Sequence, residues 1–93
     1  MGELINQYRL VLMSKKKNEG VFKLYYYFNK SEEGMNLIRK RIEEAVRMAN
    51  DKRFDYLYKD LEYEAYAIEE YKKTVEGDEM SVEIEYNFIK KKI

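Results

Sequence analysis

The chain has 93 residues, 45% of them hydrophobic, with 18 basic and 18 acidic side chains that cancel to zero net charge. It contains ten tyrosines and no histidine, cysteine, tryptophan or proline. That alphabet excludes disulfides and zinc sites built on His or Cys, and removes the commonest neutral-pH acid–base group and the readiest nucleophile.

The length predicts one domain over residues 1–93 with a small core. From residue 4 to residue 14 the sequence reads as a strand, with Leu4, Tyr8, Leu10 and Leu12 on one face. Asn18-Glu19-Gly20 signals a turn, and Val21 to Phe28 is a second strand with Phe22, Leu24, Tyr26 and Phe28 sharing a face. A three-residue loop with Gly20 in the left-handed position pairs Lys17 with Val21, Leu12 with Tyr26 and Leu10 with Phe28. The apolar faces of the two strands then coincide.

Ser31 is the expected N-cap of a helix, with Glu32 and Glu33 in its first turn. Met35, Ile38, Ile42, Ala45, Val46 and Ala49 follow at helical spacing, and Asn50-Asp51 ends the stripe.

Residues 54–76 carry two periodicities. Phe54, Leu57, Tyr58, Leu61, Ala65, Ile68 and Val75 make one helical stripe, and the content of Ala, Glu, Leu and Lys favours helix. Leu61, Tyr63, Ala65, Ala67, Tyr71 and Val75 alternate as a strand would, with Glu76-Gly77-Asp78-Glu79 as a hairpin turn. The helical reading is preferred. Ser81 to Ile89 is a final strand with Val82, Ile84, Tyr86 and Phe88 on the core face, Glu83 and Glu85 on the outer face, and Lys90-Lys91-Lys92 as a solvated tail.

The expected architecture is α+β: a three-stranded sheet in the order β-β-α-α-β with two helices on one face. The alternative is β-β-α-β-β with a four-stranded sheet. No stretch approaches the ~20 apolar residues of a membrane span, and no secretory signal is expected, so the cytoplasm is the expected compartment.

Charge is uneven along the chain. Residues 1–30 carry six basic and two acidic groups, whereas residues 55–80 carry three lysines and nine acids. A zero total argues against generic polyanion binding, and the split permits a basic end and an acidic end. No glycine-rich phosphate loop or calcium loop is present. The acids of 55–80 read as a solvated face, and no metal, cofactor or catalytic residue is expected.

Contact surfaces are better indicated. The basic residues Arg9, Lys15, Lys16, Lys17 and Lys23 fall on the first hairpin, with Tyr25 and Tyr27 beside them on its outer face. On the helical reading Tyr56, Tyr63, Ala67 and Thr74 form a back stripe flanked by Asp60, Glu62 and Glu70. The expected partner contacts are therefore Tyr25, Tyr27, Tyr56 and Tyr63. Small size, sided charge and the missing catalytic alphabet suggest a non-enzymatic protein-binding or inhibitor module. The reading extends to a phage- or mobile-element protein acting on a host enzyme or defence complex. A second copy of the chain is the competing occupant of the outer face. The alternative function is a nucleic-acid-binding or regulatory protein using the basic hairpin.

Overall fold

The computed structural model describes the backbone of residues 3–92 and the side chains of residues 5–92. The expectation for the Leu4 side chain lies outside these. Strand β1 (Glu3–Lys16) is followed by β2 (Val21–Asn29), helix α1 (Glu32–Ala49), a 3₁₀ helix (Lys52–Tyr58), β3 (Leu61–Thr74) and β4 (Glu79–Lys91). The strands form one antiparallel sheet in the order β2-β1-β3-β4. The class is α+β, but the three-stranded sheet is corrected to the four-stranded order.

Strand β3 stands where the second helix was expected. It hydrogen-bonds to β1 on one side and β4 on the other, so both of its ladders are satisfied inside the sheet. Ala65, Tyr66, Ala67 and Ile68 are buried in succession. Four consecutive buried residues mean both faces of the segment are shielded, which a one-sided surface helix cannot provide. Leu57 and Val75, needed for the helical stripe, are 40% and 60% exposed. Helix propensity, worth a few tenths of a kcal/mol per residue, yields to those interactions. Residues 52–58 keep one short helical element, opened by Asp51, whose Oδ1 accepts the Arg53 amide at 3.0 Å.

The first hairpin forms in a register two residues from the expected one. Lys15 pairs with Val21, Leu12 with Leu24 and Leu10 with Tyr26. The Lys17 amide donates to the Asp60 carbonyl at 2.8 Å, which holds the end of β1 to the approach of β3 and lengthens the loop. Asn18, at φ 65°, takes the left-handed position expected of Gly20. Because strand faces repeat every two residues, the shift leaves the apolar faces coincident.

Helix α1 crosses one face of the sheet between the parallel strands β2 and β3. Ser31 caps it, its Oγ accepting the Gly34 amide at 3.0 Å. Ile38 and Ile42 meet Leu10, Tyr66 and Ile68, with Tyr8, Leu12, Tyr26, Phe28, Met35, Val46 and Ile89 around them. Burying each of the two isoleucines contributes about 1.5–3 kcal/mol. The helix enters close to β2: a Cβ at Gly34 would lie 1.9 Å from the Asn29 carbonyl oxygen. The shortest extent of the molecule is 17 Å, the depth of one helix layer on one sheet. No described helix covers the other sheet face.

Strand β4 differs most from its sequence pattern. Register shifts fall between Ile68 and Glu69 and between Glu64 and Ala65, leaving Ile84 and Ile89 without a cross-strand partner. Each bulge breaks the two-residue alternation. Val82 stands opposite Glu70, on the side of α1, whereas Tyr86 and Phe88 stand opposite Ala67 and Ala65 on the uncovered side. The expected core stripe is therefore split, and Val82, Ile84, Tyr86 and Phe88 are 43–59% exposed. The outer placement of Glu85 is likewise corrected, for it faces α1 and pairs with Arg39. Lys90 and Lys91 belong to the strand.

Candidate protein-binding face

The uncovered sheet face carries the odd-numbered residues from Ile5 to Lys15 of β1, from Val21 to Asn29 of β2 and from Tyr63 to Lys73 of β3; register shifts beyond Ile5 and Lys15 end the regular parity. Arg9 sits at its centre. Its register partners are Tyr27 on β2 and Glu69 on β3, and its Nε donates to Glu69 Oε1 at 2.7 Å. The guanidinium carbon lies 4.6 Å from the Tyr71 ring centre, 5.0 Å from Tyr25 and 6.0 Å from Tyr27. Three aromatic rings thus surround one cation, an arrangement their quadrupoles favour. Burial pulls the Arg9 pKa down, but hydrogen bonds to Tyr27 and Glu69 more than offset it, and the net shift is upward. The group stays charged and locally neutralised.

The cluster extends through its rings. Tyr27 and Tyr71 meet edge to face at 5.3 Å. The Tyr71 hydroxyl donates to Glu79 Oε1 at 2.5 Å, and that bond raises the phenol's pKa. Across the sheet, Phe88 contacts Tyr86 at 5.8 Å and Tyr63 at 5.9 Å, both edge to face. Between the two aromatic groups lie Val11, Ala65 and Ala67, each under 5% exposed although no second layer covers them. Small residues make a shallow trough, and the rings rise on either side. Tyr25 and Tyr27 remain 47% and 48% exposed, and Tyr86 and Phe88 44% and 43%.

Of the expected contacts, Tyr25, Tyr27 and Tyr63 share this face. Tyr56 does not: it lies on the 3₁₀ helix, 72% exposed, because the segment that was to carry it alongside Tyr63 is not one helix. The acidic back stripe disappears with that helix, since Ala67 is buried within the sheet. The basic residues do not form one patch either. Arg9 is held by Glu69, and Lys15 pairs with Glu62 at 3.3 Å. Lys16 and Lys17 lie exposed at the hairpin end, and Lys23 is exposed on β2 opposite Met13. Sequence reasoning missed Glu69, Tyr71, Tyr86 and Phe88. The strand alternation of Tyr63, Ala65, Ala67 and Tyr71 was the available signal for Tyr71. The bulges that turn Tyr86 and Phe88 outward leave no mark in the residue pattern.

Among the described residues no group of three or more acidic side chains converges as a metal site would require, and no helix is long and apolar enough to cross a membrane. Comparison of the chain with protein-family models, with curated proteins and with solved structures finds no match in any of the three.

Proposed function

We propose that the protein is a non-catalytic binding module that holds a partner protein against the uncovered face of its sheet. The observation that carries this reading is the Arg9 cluster: a charged centre neutralised by Glu69 and walled by Tyr25, Tyr27 and Tyr71. Such a surface needs no counter-ion from its partner and presents large, rigid, amphipathic rings, the composition that dominates protein contact sites. A module of this kind acts by occupancy, blocking whatever surface it covers; inhibition of the partner is the activity that follows.

Nucleic acid suits the face less well. Arg9 is already engaged by Glu69, and Glu83 stands opposite Glu69 on the same face, so a phosphate chain would meet two carboxylates there.

A photo-crosslinking residue placed at Tyr25, at Tyr86 or at the exposed Leu37 of α1 tests the proposal in the producing cell. One discrete adduct of the same added mass from Tyr25 and Tyr86, absent from Leu37, is expected. Tyr25→Ala with Tyr27→Ala should remove the Tyr86 adduct while leaving the circular dichroism unchanged. An adduct of twice the chain mass would assign the face to a second copy. No adduct, or equal adducts from all three positions, would refute the assignment.

A further inference from the structure

We propose that the cleft between the C-terminal half of α1 and the first half of β2 binds a small apolar primary amine, anchored on the carboxylate of Glu64. The site lies on the helix side of the sheet, apart from the aromatic face, and does not depend on the function proposed for that face. The cleft measures about 190 Å³; Leu12, Phe22, Leu24, Ala45 and Met48 form its apolar walls, and Ser14, Tyr58 and Glu64 bring polar groups to its lining, with Ser14 directly opposite Glu64 on β1. Its apolar walls are incompletely closed: Phe22, Leu24 and Met48 are 62%, 42% and 41% exposed. Apolar cavities of ~150 Å³ accept a single benzene ring, so this volume suits one six-membered ring or a chain of about four to six carbons.

The polar chemistry of the cleft selects the ligand's head group. Glu64 stands directly opposite Lys90 on the neighbouring strand, where an ion pair would ordinarily form. It does not form, because the Lys90 ammonium donates to the Ala49 carbonyl at 2.8 Å and lies 4.9 Å from the Tyr58 ring centre. Glu64 has no ion pair or hydrogen-bonded partner for its side chain among the described residues. Burial raises its pKa, and the charge of Lys90 only partly opposes that shift. A carboxylate lining an apolar cleft without a partner gains from a ligand that brings an ammonium and an apolar body together. A neutral ligand fills the same volume but leaves the carboxylate unsatisfied, and an anion is repelled.

Benzylamine and benzyl alcohol, nearly matched in shape, separate these contributions when titrated against the isotopically labelled full chain at pH 7. The expected result is saturable movement of the Leu12, Leu24 and Met48 methyl resonances, with the amine binding at least about tenfold more tightly than the alcohol. Glu64→Gln should abolish that preference and retain weak binding of both. Ala45→Leu, which fills the cleft from the helix, should remove both. Equal affinities in the unaltered chain, an amine preference that survives Glu64→Gln, or resonance changes confined to other residues would each overturn the proposal.

Discussion

Arg39 on α1 and Glu85 on β4 form a forked ion pair, with nitrogen–oxygen distances of 2.6 and 2.8 Å. The Tyr66 hydroxyl donates to the same carboxylate at 2.5 Å. The helix is thereby fastened to an edge strand that offers it little apolar surface. The hydrogen bonds from Arg39 and Tyr66 hold the Glu85 carboxyl at about 2, against an ordinary value of 4.5. The ionised form is thus favoured in the fold. The stabilisation is complete above the unfolded value near 4.5 and is lost as pH falls from there toward 2. Arg39→Ala should cost about 1–2 kcal/mol at pH 7, less than the pKa displacement alone implies, since water screens a half-exposed pair. Urea unfolding should show the gap between variant and parent closing between pH 5 and pH 2. A gap independent of pH would remove Glu85 as its source.

Glu64 behaves in the opposite sense. Burial raises its pKa in the fold, so the protonated form is favoured there. Its contribution is fully present below the unfolded value and is lost as pH rises through the folded one. Glu64→Gln should therefore raise the urea midpoint at pH 7, with the advantage shrinking toward pH 4. A lower midpoint at pH 7 would show that the carboxylate has a stabilising partner.

Arg9 and Glu69 should prove strongly coupled. Arg9→Ala leaves a partly buried carboxylate without its cation and three rings without their centre, costing about 2–3 kcal/mol. Glu69→Ala should cost a similar amount, and Arg9→Ala with Glu69→Ala less than the two single losses together. A double-mutant cycle by chemical unfolding measures this directly, and strict additivity would contradict it.

Gly34 should tolerate no larger residue. Alanine there would set its Cβ 1.9 Å from a backbone oxygen, which cannot turn aside as a side chain can. Gly34→Ala is expected to cost more than about 2 kcal/mol in thermal unfolding, although alanine is the better helix former.

The sequence made some of this legible for physical reasons that can be named. Ser31 and the stripe from Met35 to Ala49 were readable because a cap and a helical face are local patterns, written within a few turns. The pairing of β1 with β2 was readable because both apolar faces had to meet, yet its register slipped by two residues. The contact from Lys17 to Asp60 that fixes it joins segments far apart in the chain. Residues 61–74 were misread for the same reason: a strand with apolar residues on both faces blurs its own alternation, and a helical stripe can then be drawn through it. Its neighbours, β1 and β4, decide what it becomes. At the candidate face, Tyr25 and Tyr27 followed from the parity of β2, while Tyr71 waited on β3 and Tyr86 and Phe88 on the bulges.

The bulge at Ile84 has a bearing on how the protein behaves when concentrated. Written as a regular strand, Val82, Ile84, Tyr86 and Phe88 would stand in one apolar row along an unpaired sheet edge, a template onto which further strands could add. The extra residue sends Val82 to one side and Tyr86 and Phe88 to the other and increases the local twist, so no flat, continuous border is offered for growth. Ile84 itself has no partner in the ladder. Its loss would leave every observed pairing of β4 possible while straightening that border. A residue without a partner in the ladder would then be the one that limits polymerisation.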